Sequence, residues 1–156
     1  MTVVVGLVTP HGLWMGADSA VSYEGSTTIT STPKVCRVGD ILIGYAGEFG
    51  SSQRAVRWWQ ETPRPNVHKF AQTFKGTGCS LLVIQRGALY EIDENKGVIR
   101  ARKRSGVAYG AIGSGFLPAL GALYVDATNK DSVTRALKAS AHHTTEVRGP
   151  FKILEL

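Results

Sequence analysis

Apolar positions along this chain fall in blocks with two different spacings. The first third is a series of short runs rich in β-branched and aromatic residues. TVVVGLV (2–8) and GLWMGADSAVSYE (12–24) flank TPHG, which has the chemistry of a turn, so the two runs predict a hairpin. STTITS (26–31), KVCRVG (34–39) and DILIGYAGE (40–48) follow, separated by Gly, Pro or Gly-Asp, and extend the meander. From Gly50 the spacing becomes helical: Ala55, Trp58 and Trp59 recur at i, i+3 and i+4 until Pro63 and Pro65 end the run. Asn66 is an N-cap candidate for a second helix over 66–74, with Val67, Phe70, Ala71 and Phe74 on one face. Residues 78–103 return to strands with RG and ENKG turns, and the Gly-rich apolar run GVAYGAIGSG (106–115) predicts a buried strand leading into a loop. Two helices are then expected, Phe116 to Val125 with Leu117, Leu120 and Tyr124 on one apolar face, and Asp131 to Ala141 with Val133, Ala136, Leu137 and Ala141 on another. FKILEL (151–156) is a closing strand.

Strands in blocks, rather than in alternating βαβ units, argue against a doubly wound parallel sheet. An α+β arrangement in which two antiparallel sheets face each other, each covered outside by a helix pair, would bury every apolar face. At 156 residues and 43% hydrophobic, the chain has the size of one domain, 1–156, with enough core to need no staples. Two cysteines, Cys36 and Cys79, without CxxC or a histidine-rich pattern, predict reduced thiols rather than a disulfide framework or zinc site. His142 and His143 are adjacent on a helix and point about 100° apart, which argues against metal. The formal charge of +6 is too modest to specify a partner, and RARKR (100–104) has no interleaved aromatics on which bases could stack. No basic and apolar leader pattern and no membrane-length apolar run is present, so a cytoplasmic protein with no nucleic-acid or membrane partner is expected.

Candidate chemistry begins at Thr2. If Met1 is removed, Thr2 carries a free α-amine beside its own hydroxyl, which places a nucleophile and a base on one residue. An α-amine has an ordinary pKa near about 8, close to the working range. Threonine without such a base is a poor nucleophile at neutral pH.

The blocks MTVVVGLVTPHGLWMGADSAVS, TPKVCRVGDILIGYAGEFG and GAIGSG, with the closing helix and strand, resemble the N-terminal nucleophile hydrolases of the proteasome β-subunit type. In size the chain is most similar to the small bacterial proteasome-like threonine peptidases that work with a ring ATPase. The resemblance implies a four-layer αββα sandwich and, position by position, a site made of Thr2, Asp18, Lys34, Gly47 and Ser114. The intervals from Thr2 to Asp18 and from Asp18 to Lys34 are both 16, similar to the family's spacing. By the same carry-over, Thr2 is the nucleophile, Lys34 keeps its amine unprotonated, Asp18 pairs Lys34, Gly47 donates a backbone N–H to the oxyanion, and Ser114 lies near the terminal amine.

The implied activity is hydrolysis of peptide bonds in peptides or unfolded proteins, without a cofactor, by subunits of a homo-oligomeric ring or double ring fed by an ATPase unfoldase. Trp58 and Trp59 are adjacent, and one narrow helix stripe cannot bury both, so at least one is expected to meet a neighbouring layer or subunit. The implied pocket of Val21, Thr32, Cys36 and Phe49 is uncharged and predicts apolar P1 residues. Two alternatives share the fold: a catalytically silent ring subunit and a small-molecule amide hydrolase. Silent relatives carry an extension ahead of the first strand and lack the Thr/Asp/Lys set. The sequence departs from the family before its last strand, where an Asp and a Ser commonly support the amine. HHTTEVRGPFKIL stands there, with Thr145 and Arg148 near those places.

Overall fold

The computed structural model describes residues 2–93, 95 and 97–156. Met1, whose removal the sequence reading requires, and Glu94 and Lys96 of the expected ENKG turn lie outside them. The protein is mixed α+β with every strand pairing antiparallel. The expected first hairpin forms from β1 (Val4–Thr9) and β2 (Gly12–Ala17), but the second run breaks in two after Ala17. Its remainder, β3 (Ala20–Tyr23), pairs with β4 (Ser26–Ile29) as a separate two-stranded sheet. The break is chemical: Asp18 Oδ1 accepts from Val3 N at 3.0 Å and Oδ2 from Ala20 N at 3.1 Å, so a side chain substitutes for ladder bonds and turns the backbone aside.

β5 (Val35–Val38) and β6 (Ile41–Gly47) lead into α1 (Phe49–Glu61) and α2 (Val67–Thr73). Asn66 caps α2 as expected, its Oδ1 accepting from His68 N and Lys69 N. β7 (Cys79–Gln85), β8 (Ala88–Asp93) and β9 (Gly97–Arg100) complete a five-stranded sheet in the order β5-β6-β7-β8-β9. β10 (Ala108–Ile112), α3 (Phe116–Val125), α4 (Lys130–His143) and β11 (Lys152–Glu155) follow, and the second large sheet has the order β10-β1-β2-β11.

Strand alternation sends side chains to both faces of each sheet and generates three apolar clusters. Val4, Met15, Leu42, Leu82 and Leu89 belong to one that joins the two large sheets. Val5, Leu7 and Trp14 turn the other way, toward Ala119 and Leu123 of α3 and Val133 and Leu137 of α4. Ile43, Tyr45, Leu81 and Val83 pack toward Trp59 of α1 and Phe70 of α2.

Trp58 and Trp59 both find their neighbours within the chain, Trp59 meeting the sheet layer as expected. Trp59 is buried and stacks on Phe70 at 5.7 Å, while half-buried Trp58 meets Phe70 and Phe74 edge-on at 5.4 and 6.3 Å. The tryptophan pair is therefore accommodated by α2, and it requires no second subunit. In α3 the packed residues are Ala119 and Leu123, whereas Leu117 and Tyr124 are 67% and 82% exposed. FLPALGALYV is apolar almost all round, so its periodicity does not select a face, and α4 closes against the side that carries the small alanine. Among the described residues, no helix is long and apolar enough to cross a membrane.

Candidate active site

Four of the five residues implied by the resemblance are joined by hydrogen bonds, and the fifth lines the same clefts. Thr2 lies just ahead of β1, with its carbonyl held by Gly115 N at 3.3 Å. Asp18 is at the end of β2, opposite Val3, where its carboxylate is fixed by the two backbone N–H groups that break the strand. Lys34 stands immediately before β5, and its carbonyl accepts from Tyr45 N of β6 at 3.1 Å, so the sheet ladder anchors its backbone. From there Lys34 Nζ donates to Thr2 Oγ1 at 2.8 Å, to Asp18 Oδ1 at 2.9 Å and to the Ala20 carbonyl.

All three side chains are sequestered: Thr2, Asp18 and Lys34 are 9%, 2% and 3% exposed. Burial pulls the Lys34 ammonium below the ordinary lysine range, and the Asp18 carboxylate opposes that shift by attraction and by its hydrogen bond. A buried ammonium with an anion on one side and a hydroxyl oxygen on the other is a donor aimed at the atom on which an attacking alkoxide would form. The Ala20 carbonyl is a third acceptor that the sequence did not single out, since only the break after Ala17 turns it toward Lys34.

On the other side of Thr2, its backbone nitrogen meets Ser114 Oγ at 3.3 Å. The N-cap of α3 is Gly115, without a side-chain bond, so Ser114 is not committed to capping that helix. Gly113, at φ +89°, lets this loop pass Thr2 closely, because a Cβ there would stand 2.2 Å from the Thr2 carbonyl oxygen. Gly47 closes β6 at φ +112°, with space for no Cβ, since one would lie 2.1 Å from the Gly78 carbonyl oxygen. It lines clefts on both sides of Thr2.

Of these clefts, the larger, about 490 Å³, includes Ala46, Ser80, Glu91, Asp93, Ser114 and Phe116 in its walls. The other, about 290 Å³, is bounded by Val21, Ser22, Tyr23, Tyr45, Glu48 and Phe49 among others. Of the four implied pocket residues, the structure places Val21 and Phe49 beside Thr2. Thr32 and Cys36 line a separate cavity of about 360 Å³ with Gln53 and Arg57.

The uncharged pocket needs correcting too, because Glu48 is at its rim. The Glu48 carboxylate caps α1, accepting from Gly50 N at 2.9 Å and Ser51 N at 2.5 Å. Hydrogen bonds from Ser51, then Gly50, hold it below the usual carboxylate range, so it is an anion at neutral pH. Glutamate is an uncommon N-cap, so this role carries no signal in the sequence. Thr145 and Arg148, the stand-ins for the family's amine support, bond to each other, Arg148 Nε donating to the Thr145 carbonyl at 3.3 Å. The Arg148 carbonyl takes Ser19 N at 3.0 Å, which ties this segment to the residue after Asp18.

No protein-family model matches the sequence, and no curated protein matches it either. Solved structures do. BPH of Thiobacillus denitrificans superimposes with a TM-score of 0.82 at 14% identity, covering 99% of this chain and 97% of that one. Eukaryotic HslV from Trypanosoma brucei gives 0.80 at 17% identity over 99% and 98% of the two chains. Anbu, an ancestral β-subunit from Yersinia bercovieri, gives 0.78 at 15% identity over 99% and 81%. Full-length superposition at this level carries the architecture and not the chemistry, which rests on the residues themselves. The chain has the fold of the proteasome β-type N-terminal nucleophile hydrolases.

Proposed function

We propose that this protein is a threonine-type peptidase that cleaves peptide bonds with Thr2 as its N-terminal nucleophile once Met1 has been removed. The observation that carries this proposal is the Lys34 ammonium, 2.8 Å from Thr2 Oγ1 and backed by Asp18 at 2.9 Å. While Met1 is attached, the Thr2 nitrogen is a peptide N–H that donates to Ser114. After its removal the same nitrogen is an amine, and the positive charge of Lys34 disfavours its protonation.

In the reaction, the amine takes the hydroxyl proton as Oγ1 attacks the scissile carbonyl. Lys34 stabilises the developing oxygen charge, and the Gly47 N–H receives the oxyanion, a contribution on the order of 3 kcal/mol for a preorganised donor. The amine then protonates the leaving nitrogen. An ester on Thr2 remains, and a water deprotonated by the same amine hydrolyses it. Two clefts meeting at Thr2 provide room for chain on both sides of the cleaved bond, as a peptide substrate needs. The BPH neighbour, at 16% identity, has also been solved in complex with epoxomicin, so a protein of this fold binds a small ligand.

The chain is one domain, and three clusters linking helices to sheet, sheet to sheet and sheet to helices support a four-layer αββα sandwich. Assembly into a ring or double ring, served by an ATPase, completes the proposal. Phe116, Leu117, Tyr124 and Val125, exposed on one helix, support a contact between subunits. The test is hydrolysis of fluorogenic peptides by wild type and Thr2→Ala, with intact mass recorded on both. Activity confined to a wild-type chain lacking Met1 supports the proposal, and a Thr2→Ala rate within a factor of two of wild type overturns it.

A further inference from the structure

Strand register gives the two large sheets two distinct ends. At the Thr2 end Val4 pairs with Ile112 and Gly47 with Cys79; at the other end Val8 pairs with Ala108 and Leu42 with Ile84. The end away from Thr2 therefore carries the β5–β6 and β7–β8 turns, with Asp40 and Arg86, and the connection from β9 to β10, with Arg102, Lys103 and Arg104. The α1–α2 connection arrives there too, since Arg64 and Lys69 share a cavity of about 640 Å³ with Asp40 and Arg86. All six cationic residues are exposed. Among the described residues the ion pairs are Lys34–Asp18 and Arg135–Asp126, so none of the six is neutralised by a partner. An end of one sign attracts anionic ligands before any contact is made.

A second cavity at this end, about 350 Å³, changes the meaning of RARKR. Read in line, the run has no aromatic residue on which a base could stack. The fold supplies two: Tyr109 of β10 and Tyr124 in the last turn of α3 wall the same cavity as Arg102 and Arg104. Tyr124 is 82% exposed, so its ring is within reach of a ligand. Asp40 is the one carboxylate lining either cavity among the described residues.

The connection that carries the arginines is fixed. Ala101 N donates to the Leu89 carbonyl at 2.9 Å, and Arg104 and Val107 exchange backbone hydrogen bonds at 2.8 and 3.0 Å. Gly106, at φ +78°, seats the turn against the first hairpin, where a Cβ would stand 2.9 Å from Pro10 Cγ. Arg102 and Arg104 are thus presented on an ordered backbone, which lowers the cost of binding.

We propose that this end of the molecule binds single-stranded nucleic acid, with backbone phosphates on Arg102 and Arg104 and unpaired bases stacked on Tyr109 and Tyr124. Guanidinium groups take phosphate oxygens in pairs, and a tyrosine face takes any base that is not already stacked in a duplex. The basic cavity at Arg64, Lys69 and Arg86 adds charge that draws a longer strand to the same end. The inference is independent of Thr2, which lies at the opposite ends of the strands.

The test is fluorescence anisotropy with labelled oligo-dT and oligo-rU of about 20 nucleotides, and with a duplex of the same length, over a series of salt concentrations. The expected result is tighter binding of the single strand, as DNA, RNA or both, than of the duplex, with affinity falling steeply as salt rises. Arg102→Gln with Arg104→Gln should weaken binding about tenfold or more at low salt and reduce the log–log salt slope by about 1.4, or about 0.7 for each lost phosphate contact. Tyr124→Ala should weaken it about fivefold or more with the slope unchanged, and Tyr124→Phe should retain it. Tyr124 is also on the helix face proposed for a subunit contact, so light scattering accompanies each variant, and where the mass changes the comparison rests on the arginine pair. Equal affinity for duplex, arginine variants within a factor of two of wild type, displacement of the strand by poly-L-glutamate at matched charge, or no binding at the lowest salt overturns the proposal.

Discussion

Replacing Lys34 by methionine separates what the lysine does for the fold from what it does for catalysis. The substitution keeps an unbranched side chain, one atom shorter, and removes the charge. Asp18, whose side chain is fully buried, then retains the backbone donors Val3 N and Ala20 N but loses the ammonium 2.9 Å away. Breaking a buried pair by deleting one partner costs about 3–5 kcal/mol, because the other charge is left uncompensated in low dielectric. For a chain of this length, each kcal/mol corresponds to about 2–4 °C in Tm, so a fall on the order of 10 °C is expected. Thr2→Ala is the comparison. It removes one acceptor from Lys34 but leaves Asp18 and the Ala20 carbonyl, and a lost hydrogen bond to a charged group costs about 1.5–3 kcal/mol. Both variants should lose hydrolysis almost completely. Urea unfolding at fixed protein concentration, paired with fluorogenic peptide assays, reads both quantities. A Lys34→Met chain within about 1 kcal/mol of wild type would refute the buried-pair argument. One that hydrolyses within a factor of two of wild type would refute the role in catalysis.

Other outcomes follow from the same geometry. The dependence of kcat/KM on pH should be bell-shaped: it rises as the Thr2 amine loses its proton and falls as Lys34 loses its own, at a pH below the ordinary lysine value of 10.5 because burial lowers it. A plateau extending past that value would contradict the need for a charged Lys34. Gly47→Ala, at φ +112° and with its Cβ directed 2.1 Å from the Gly78 carbonyl oxygen, should shift this backbone, destabilise the chain by roughly 1–3 kcal/mol and reduce kcat/KM by about a hundredfold. Unfolding curves and steady-state kinetics check both. Leu117→Asp with Tyr124→Asp, at positions 67% and 82% exposed, should leave Tm within a few degrees while reducing the mass measured by light scattering from ring to smaller species. An unchanged mass would remove α3 from the subunit contact.

How far the fold could be read in the sequence depended on whether the deciding contact was local. α2 was legible because Pro63, Pro65 and Asn66 act through the backbone of their own segment, whatever packs around them. The α3 face was not, since a helix that is apolar on every side leaves the choice to α4. The strand that breaks after Ala17 reads as continuous, because the interruption comes from Asp18 bonding Val3, which is 15 residues away in sequence. Thr2, Asp18 and Lys34 come together through the family resemblance, whose intervals they match, and no propensity would have brought a lysine after Pro33 into a buried site. Tyr45 shows the opposite case. Alternation along β6 places it toward the helices with Ile41 and Ile43, but the anchoring of its hydroxyl depends on the Pro33 carbonyl, 12 residues away in sequence.

The most direct test of the central claim is to find where the acyl group resides during turnover. A peptide ester whose acyl-enzyme deacylates slowly is mixed with the protein, quenched in acid within a turnover and mapped by tandem mass spectrometry. The account predicts a chain beginning at Thr2 with the acyl mass on the Thr2 side chain, and no such adduct in Thr2→Ala. Acyl transfer to another residue, or continued hydrolysis by a chain that retains Met1, would contradict it.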